Sequence, residues 1–467
     1  MSNRTRVTAL LLGGLLAVSC SPEGGEGSTT TVGPSTEAAR SVVVDTDLAS
    51  DDLVALSFLL SSTEVDLVAV TVSGTGEVRC PQGLDVIRGL LAVTGDDDIP
   101  VACGRSAPLA GDRAFPTEWR DAADDAWDLD LPKVAAPSGE RTAVELLIEA
   151  LDPDGVTVLT LGPLTNLADA FRADPDLAGN VSSVVVMGGA VDVPGNVFDE
   201  GAEPPVAEWN VYVDPTAAAE VFGSGVLVTM VGLDATSEAP ITGDFLELLR
   251  ANSHTEPASL VLTLLENNPL VYSGEAYFWD PLAAAVVVDP GLVMTETIPI
   301  SVVTGDRDLG QTARNAGGDP LAVAMGADAA AFEELLIRTL DQLEPDHPIA
   351  TLPPPSAEMA ITYDGTDCSL AGPTATDQGR VRFTFESSEP GWFAGVAHLT
   401  GDRTTAQITA AIEAGEQLRL EELGLDRPTI VGSAGGTSVT AEPDHYMVLC
   451  GSEVGDLLIA GTFAVDS

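Results

Sequence analysis

Residues 44–52 read Val44-Asp45-Thr46-Asp47-Leu48-Ala49-Ser50-Asp51-Asp52 and place four carboxylates within eight residues. They follow directly on Ser41–Val44, a β-branched run that predicts a buried strand. Leu53, Leu56, Leu59 and Leu60 come next at helical spacing, so the acidic stretch is a loop between a strand and a helix. Like charges this close raise one another's pKa and repel, and a divalent cation would neutralise them. Carboxylate oxygens are hard ligands that suit calcium or magnesium. A plainer reading also fits: an acidic helix entry in which Asp51 and Asp52 are caps and dipole partners. A further carboxylate lies far downstream in Phe278-Trp279-Asp280-Pro281. It would close a coordination sphere from another strand end; alone, it reads as a helix N-cap with Pro in the first turn.

Outward from this loop, short apolar strands alternate with helices. Strands are predicted at 65–72, 99–102, 156–161, 181–187 and 226–231, and helices at 83–91, 142–151, 167–173, 215–222 and 281–288. This alternation predicts an α/β fold with a mostly parallel central sheet flanked by helices, and ligands at the carboxyl ends of its strands. Past residue 350 the character changes. Leu352-Pro353-Pro354-Pro355 reads as a stiff joint, and strand-like runs at 381–385, 417–420, 446–449 and 457–465 with one helix at 403–413 predict a small β-rich domain, a sandwich. His445 lacks a second histidine for a copper site. The expected organisation is an export signal over 1–20, a flexible linker over 21–39, an α/β domain over 40–350 and a β-rich accessory domain over 351–467.

The chain has 467 residues, with 72 Asp plus Glu against 20 Lys plus Arg, a net charge of −52. Lys133 is its sole lysine. So negative a surface repels nucleic acid and anionic lipid, which argues against nucleic-acid partners and a polybasic anchor. It suits a salty medium that screens self-repulsion; an unfolding midpoint that stayed flat from low to high salt would count against a salt-adapted origin. Arg4 and Arg6 precede an apolar run from Val7 to Val18, too short to span a bilayer and laid out like a secretory signal. Leu16-Ala17-Val18-Ser19-Cys20 resembles a bacterial lipobox, which implies cleavage before Cys20, lipid on its sulfur and a surface-anchored lipoprotein; simple secretion is the alternative. Residues 21–39 are Gly, Ser, Thr, Pro and Glu with little to bury, a tether. Four cysteines remain, and order along the chain favours Cys80–Cys103 and Cys368–Cys450 among three possible pairings, with four free thiols as the alternative.

Five motifs in order now give a resemblance. The chain resembles the inosine-uridine preferring nucleoside hydrolase family over about residues 40–340. Asp45-Thr46-Asp47 through Asp51-Asp52 match its opening motif, and Gly162-Pro163-Leu164-Thr165-Asn166 its middle turn. Met187 to Ala190 and Gly195-Asn196 follow, then Ala207-Glu208-Trp209-Asn210 with Asp214-Pro215, and finally Asp280-Pro281. The resemblance implies a calcium-dependent hydrolase of ribonucleosides. Asp47, Asp52, Asp280 and the Leu161 backbone carbonyl would bind Ca2+. Asp47 would be the general base toward water, and attack would invert the anomeric carbon. Asp51 and Asn210 would bind the ribose 2′ and 3′ hydroxyls, Asn196 and Glu208 the 5′ end, and Asp45 would support the loop. For Asn196, Glu208 and Asn210 the competing reading is a buried side chain satisfying loop backbone. Family members often form dimers or tetramers, so an oligomer is possible.

The sequence departs from the family pattern around the leaving group. Trp279 stands where many members carry His, Thr75 where they often have Asn, and Glu118-Trp119-Arg120 where they often have His-Gly. Eleven residues separate Asn196 from Glu208, more than usual. Trp119 and Trp279 are therefore candidates to stack on a base. Arg120 is either a positive donor or a surface ion pair. The alternatives to nucleoside hydrolysis are a hydrolase of another N-riboside, or a calcium-dependent nucleoside-binding surface lipoprotein with little turnover.

Overall fold

The computed structural model describes residues 39–135, 141–152, 155–197, 205–268, 270–271, 274–305, 307–344, 347–388, 392–399, 404–413, 425, 429–431, 437–441, 444–452 and 457–466. Cys20, nearly all of the tether and the expected strand at 417–420 lie outside them. Among the described residues, no helix is long and apolar enough to cross a membrane.

The strands of the α/β part are β1 (Arg40–Thr46), β2 (Val65–Val72), β3 (Val101–Cys103), β4 (Val156–Thr160), β5 (Val181–Met187), β6 (Val228–Val231), β7 (Val293–Val302), β8 (Thr312–Arg314) and β9 (Asp319–Ala327). They form one sheet in the order β3-β2-β1-β4-β5-β6-β9-β7-β8. From β3 to β9 neighbours are parallel, while β7 pairs antiparallel with β9 and β8. Val42, Val43 and Val44 are fully buried because helices cover both faces, the reason for an unbroken apolar run rather than alternation. The helices pack into two separate clusters, one per face. Each fully buried Leu, Val or Phe contributes about 1.5–3 kcal/mol over its exposed state.

Strand order reverses between β1 and β4. A parallel sheet opens a crevice beyond its strand ends at such a switch point. Asp47 follows β1 and Gly162–Asn166 follows β4, so both motifs reach this crevice. The Ser50–Ser61 helix packs against the Trp279–Val288 helix, which brings the amino ends that carry Asp51, Asp52 and Asp280 together.

Past residue 355 the chain forms β10 (Ala357–Tyr363), β11 (Cys368–Ala371), β12 (Ala375–Asp377), β13 (Gly379–Ser387), β14 (Trp392–His398), β15 (Thr429–Val431), β16 (Thr437–Ala441), β17 (His445–Ser452) and β18 (Leu457–Asp466). One sheet is ordered β11-β10-β13-β16 and the other β12-β18-β17-β14-β15. Ile361 and Phe383 of the first share a core with Val396, Val448 and Phe463 of the second, which makes the pair a sandwich. Cys368–Cys450 joins β11 to β17 across it, with Cα atoms 6.1 Å apart. Cys80–Cys103 joins the start of the Cys80–Thr94 helix to the end of β3, 5.7 Å apart, so both expected pairings form. His445 has a histidine nearby after all: His398 and His445 both reach Asp444, at 2.9 and 3.7 Å.

The sandwich meets the α/β part through Arg380 on β13. Its buried guanidinium contacts Asp244 at 3.1 Å and Glu247 at 3.0 Å, both on the Gly243–Ala251 helix, and donates to the Pro353 carbonyl at 2.7 Å.

Candidate active site

The loop after β1 is folded by its own side chains. Thr46 Oγ1 donates to Asp52 Oδ1, the Asp47 N–H donates to the same oxygen at 3.1 Å, and the Leu48 N–H donates to Thr46 Oγ1 at 3.2 Å. Leu48 itself sits at φ 57°, in the left-handed region, and its carbonyl accepts the Trp127 indole N–H at 3.1 Å. Such a conformation costs a non-glycine residue about 1–2 kcal/mol, which the surrounding contacts hold in place. The plain capping reading fails here. Ala49 is the N-cap, it makes no side-chain cap, and Asp52 reaches back into the loop instead. Asp280 likewise lies inside the first turn of its helix, after the cap residue Phe278.

Asp45 turns its side chain along the sheet. Its Oδ1 accepts from Thr71 Oγ1 at 2.7 Å and from Asn166 Nδ2 at 2.8 Å. Asn166 also donates to the Val72 carbonyl at 3.0 Å, so one amide ties the turn after β4 to β1 and β2. Behind Asp45 runs a chain of buried hydroxyls: Ser73 to Thr75 at 2.9 Å, Thr75 to Thr165 at 3.0 Å, and Thr165 to Asp214 at 2.8 Å. Thr75 is thus occupied in joining loops.

Asp47 is packed between two glycines. A Cβ on Gly76 would lie 2.1 Å from Asp47 Cβ, and one on Gly162 would lie 2.7 Å from it. The Glu77 N–H donates to Asp47 Oδ2 at 3.2 Å, and the Val78 N–H to the Asp47 carbonyl at 2.9 Å. Oxygens of Asp51, Asp52 and Asp280 all come within 4.8 Å of one another, the one such group among the described residues. Asp47 is outside that trio, although Asp52 and Glu77 act on it electrostatically. Asp280 N–H donates to Asp51 Oδ2 at 3.4 Å.

Burial is the main reason these carboxyls hold protons more tightly than usual. It pushes Asp45 up to about 7, and burial with the Asp52 charge takes Asp51 to about 7. Asp47, Glu77 and Asp280 rise well above the ordinary range through burial first, then through the Asp52 charge on Asp47 and the Asp51 charge, followed by Asp52, on Glu77 and Asp280. In Asp52 burial outweighs the hydrogen bonds that favour its charged form. Asp52 Oδ2 is buried with no hydrogen-bond partner, as is Glu77 Oε2. Buried like charges with orphaned oxygens are what a cation relieves, so the donor set fits a hard divalent ion.

The expected sugar-binding residues also serve the backbone. Glu208 caps the Trp209–Val213 helix, accepting from Asn210 N at 2.8 Å and Val211 N at 3.2 Å, and it holds Gly189 N at 2.9 Å. Gly189 is at φ 88°, a conformation that favours glycine. Asn210 Nδ2 donates to the Leu161 carbonyl at 2.8 Å, the carbonyl expected to face the ion. Asn196 Oδ1 accepts from Trp209 N at 3.1 Å, and the residues after Val197 up to 204 are outside the described set.

Trp119 and Trp279 belong to different aromatic groups. Trp119 is 5.5 Å from Trp209, which stacks on Phe115 at 5.2 Å, while Trp279 is 5.8 Å from Tyr277. Arg120 makes no salt bridge among the described residues. It donates to the carbonyls of Glu77 at 3.3 Å and Gly74 at 3.2 Å, holding the loop after β2. Sequence reading missed Glu77, a lone acidic residue after Ser73-Gly74-Thr75-Gly76. Nothing in its spacing marks it; only the buried setting does.

Known proteins share this chain's sequence pattern and fold. Residues 42–334 match the family model for inosine-uridine preferring nucleoside hydrolase. An inosine-uridine preferring nucleoside hydrolase of Crithidia fasciculata is 30% identical over 299 residues, covering 58% of this chain and 87% of that protein. A pyrimidine-specific ribonucleoside hydrolase of Citrobacter koseri is 33% identical over 320 residues, covering 65% and 98%. Among solved structures, an inosine-uridine preferring nucleoside hydrolase of Bacillus anthracis superposes with TM-score 0.57 at 27% identity, covering 65% of this chain and all of that one. A plant nucleoside hydrolase gives TM-score 0.59 at 29% identity, covering 65% and 99%. The chain belongs to the inosine-uridine preferring nucleoside hydrolase family. It is a nucleoside N-ribohydrolase with an appended pair of β-sheets beyond the matched residues.

Proposed function

We propose that the chain hydrolyses the N-glycosidic bond of ribonucleosides with Ca2+ as cofactor and Asp47 as general base. The observation that carries this reading is the convergence of Asp51, Asp52 and Asp280 beside Asp47 at the strand-order reversal. Asp47, Asp52, Asp280 and the Leu161 carbonyl would hold the ion. When bound, Ca2+ supplies a lowered pKa to a nearby water and an anchor for sugar hydroxyls.

The protein residues then divide the work. Asp47, with one oxygen fixed by the Glu77 N–H, takes the proton of the attacking water. Asp51 accepts from the ribose diol and Asn210 joins it, while Asn196 and Glu208 face the 5′ end. The buried carboxylates stabilise positive charge as it develops on the sugar. No carboxylate is assigned as a covalent nucleophile, so the product is inverted at the anomeric carbon.

A second reading concerns the leaving group. Trp279 replaces the histidine of many members, and the four histidines of the chain are elsewhere: His254 on Asp341, His347 bonded to Glu344, and His398 and His445 in the sandwich. This favours an N-riboside whose base departs without a histidine acid, stacked by Trp119 or Trp279. Release of reducing sugar from inosine, uridine, adenosine and nicotinamide riboside, with and without calcium chelation, separates these readings. No release from any, with ribose still bound, would leave a binding protein.

The chain is exported and held at a membrane's outer face by lipid on Cys20, on the strength of the charged, then apolar, leader and the lipobox-like Leu16–Cys20. Labelled lipid should enter the wild type and not Cys20→Ala.

A further inference from the structure

Ala126, Trp127 and Asp128 lie at φ 54°, 55° and 63°, three left-handed residues in succession. A non-glycine residue disfavours that region about five- to thirtyfold and visits it singly. A run of three is therefore an outlier, of the kind that persists only where its surroundings hold it and that gathers at functional sites. Its backbone closes on itself, with Leu129 N–H on the Ala126 carbonyl at 3.0 Å and Asp128 N–H on the Asp125 carbonyl at 3.2 Å. What the turn presents is the Trp127 ring. The ring packs on the core cluster that includes Leu48, and its indole N–H donates to the Leu48 carbonyl at 3.1 Å.

Leu48 is fully buried and left-handed too, at φ 57°. It joins Asp47 to the helix entry that carries Asp51 and Asp52. Asp47 has restraints of its own in the Glu77 and Val78 N–H groups. Leu48 is held by its N–H on Thr46 Oγ1 at 3.2 Å and by the indole on its carbonyl. Removing the donor from a buried carbonyl disfavours the bonded conformation about fivefold to a hundredfold. Relaxing Leu48 out of the left-handed region regains about five- to thirtyfold. The two effects are of one size, so the indole decides whether the loop stays wound before a cation arrives. Four unneutralised carboxylates push toward any opening that parts them.

We infer that Trp127 is a positioning residue: its indole N–H keeps Leu48 left-handed and so holds the loop from Asp47 to Asp52 ready for the cation. This rests on the calcium reading above, and it gives the segment between β3 and β4 a share in setting the ion's affinity. An ion that meets a loop wound only part of the time binds more weakly by that fraction.

The test is calorimetric titration of CaCl2 into the full chain, Trp127→Phe and Trp127→His, with melting curves of each in chelator and in CaCl2. The first substitution keeps a ring and loses the N–H. The second keeps a ring N–H near the indole's position and loses the larger packing surface. Trp127→Phe should bind Ca2+ about five- to thirtyfold more weakly. Its melting point in chelator should stay close to wild type, because the relaxed backbone offsets the lost bond, and should fall below wild type in CaCl2. Trp127→His should melt lower in both media and keep wild-type Ca2+ affinity. Wild-type affinity in Trp127→Phe overturns the inference, as does a loss of affinity in both variants that follows their loss of stability in chelator, which would make Trp127 a packing residue. Should Trp127→Phe fail to fold, Trp127→His still decides: unchanged affinity supports the inference and lowered affinity overturns it. Wild type that binds Ca2+ but releases no base from any riboside sinks the hydrolase reading and leaves this one standing; wild type that takes up no Ca2+ sinks the calcium reading and this one with it.

Discussion

A methyl group on Gly76 would lie 2.1 Å from the Cβ of Asp47. No side chain fits there unless Asp47 moves, so the loop after β2 sets where the base stands. Gly76→Ala should lower kcat/KM about a hundredfold, the usual penalty for a misplacement near 1 Å. Gly179 has open space around its Cβ position and should tolerate Ala without loss. Steady-state kinetics of both variants on inosine or uridine checks this. Equal activities would mean that the loop yields.

Calcium should govern how stability depends on pH. The folded-state pKa values of Asp45 and Asp51 stand near 7, above the ordinary 3.8. Without a cation, the folded state therefore holds protons that the unfolded chain releases, and stability falls as pH rises from about 4 through about 7. Saturating Ca2+ should flatten that fall. Melting curves from pH 4 to 8 in chelator and in CaCl2 give the two slopes; identical slopes would argue against ion binding here.

Asp52→Asn keeps an oxygen for Thr46 and Asp47 N–H while removing one buried charge. In chelator at pH 8 the variant should melt above wild type. In CaCl2 the order should reverse, with Ca2+ affinity down roughly a hundredfold, since an uncompensated loss at a buried charged site is worth about 3 kcal/mol or more. The crossing of the two orders is the measurement.

Glu333 gives a control outside that carboxylate cluster. Burial, with Asp244 nearby, raises it to about 7 from 4.5. Its folded pKa exceeds its unfolded one, so it lowers stability as pH climbs through this window and stays unfavourable above it. Glu333→Gln should raise the melting temperature at pH 8 and leave it nearly unchanged at pH 4, with calcium making no difference.

Reduction should be felt unequally along the chain. Cys80–Cys103 closes a 23-residue separation and Cys368–Cys450 one of 82. Loss of either should cost about 2–4 kcal/mol. Cys80→Ser with Cys103→Ser should also lower activity, since the bond pins the chain three residues beyond Glu77, whose N–H holds Asp47, whereas the sandwich pair should affect stability alone. Denaturant melts and kinetics on the two double variants separate these effects.

Much of this was legible in the residues because the chemistry is local. Val42–Val44 had to be buried on both faces, and carboxylates after such a strand had to be managed. The turn at Gly162–Asn166 and the cap at Asp214-Pro215 carry their own signatures. The antiparallel margin was not legible. β7 has exposed Met294, Thr295, Glu296 and Thr297 in succession, so it shows no alternation to read. The left-handed residues Ala126, Trp127 and Asp128 also escaped, since no glycine marks them. Glu208 and Asn196 looked like sugar ligands from sequence, but their bonds to backbone emerge only when distant loops meet.

Arg380 carries one more implication. It is the counterion of Asp244 and Glu247, on a helix whose Phe245 packs edge-on against Phe278, two residues before Asp280. Trimming the protein back to its enzymatic portion would remove Arg380 and Arg382 from that helix's acidic face. Through Arg380 and Arg382 the appended sheets thus clamp the wall behind the catalytic centre, and a shortened enzyme, without these cations beside Asp244 and Glu247, should melt earlier at low salt.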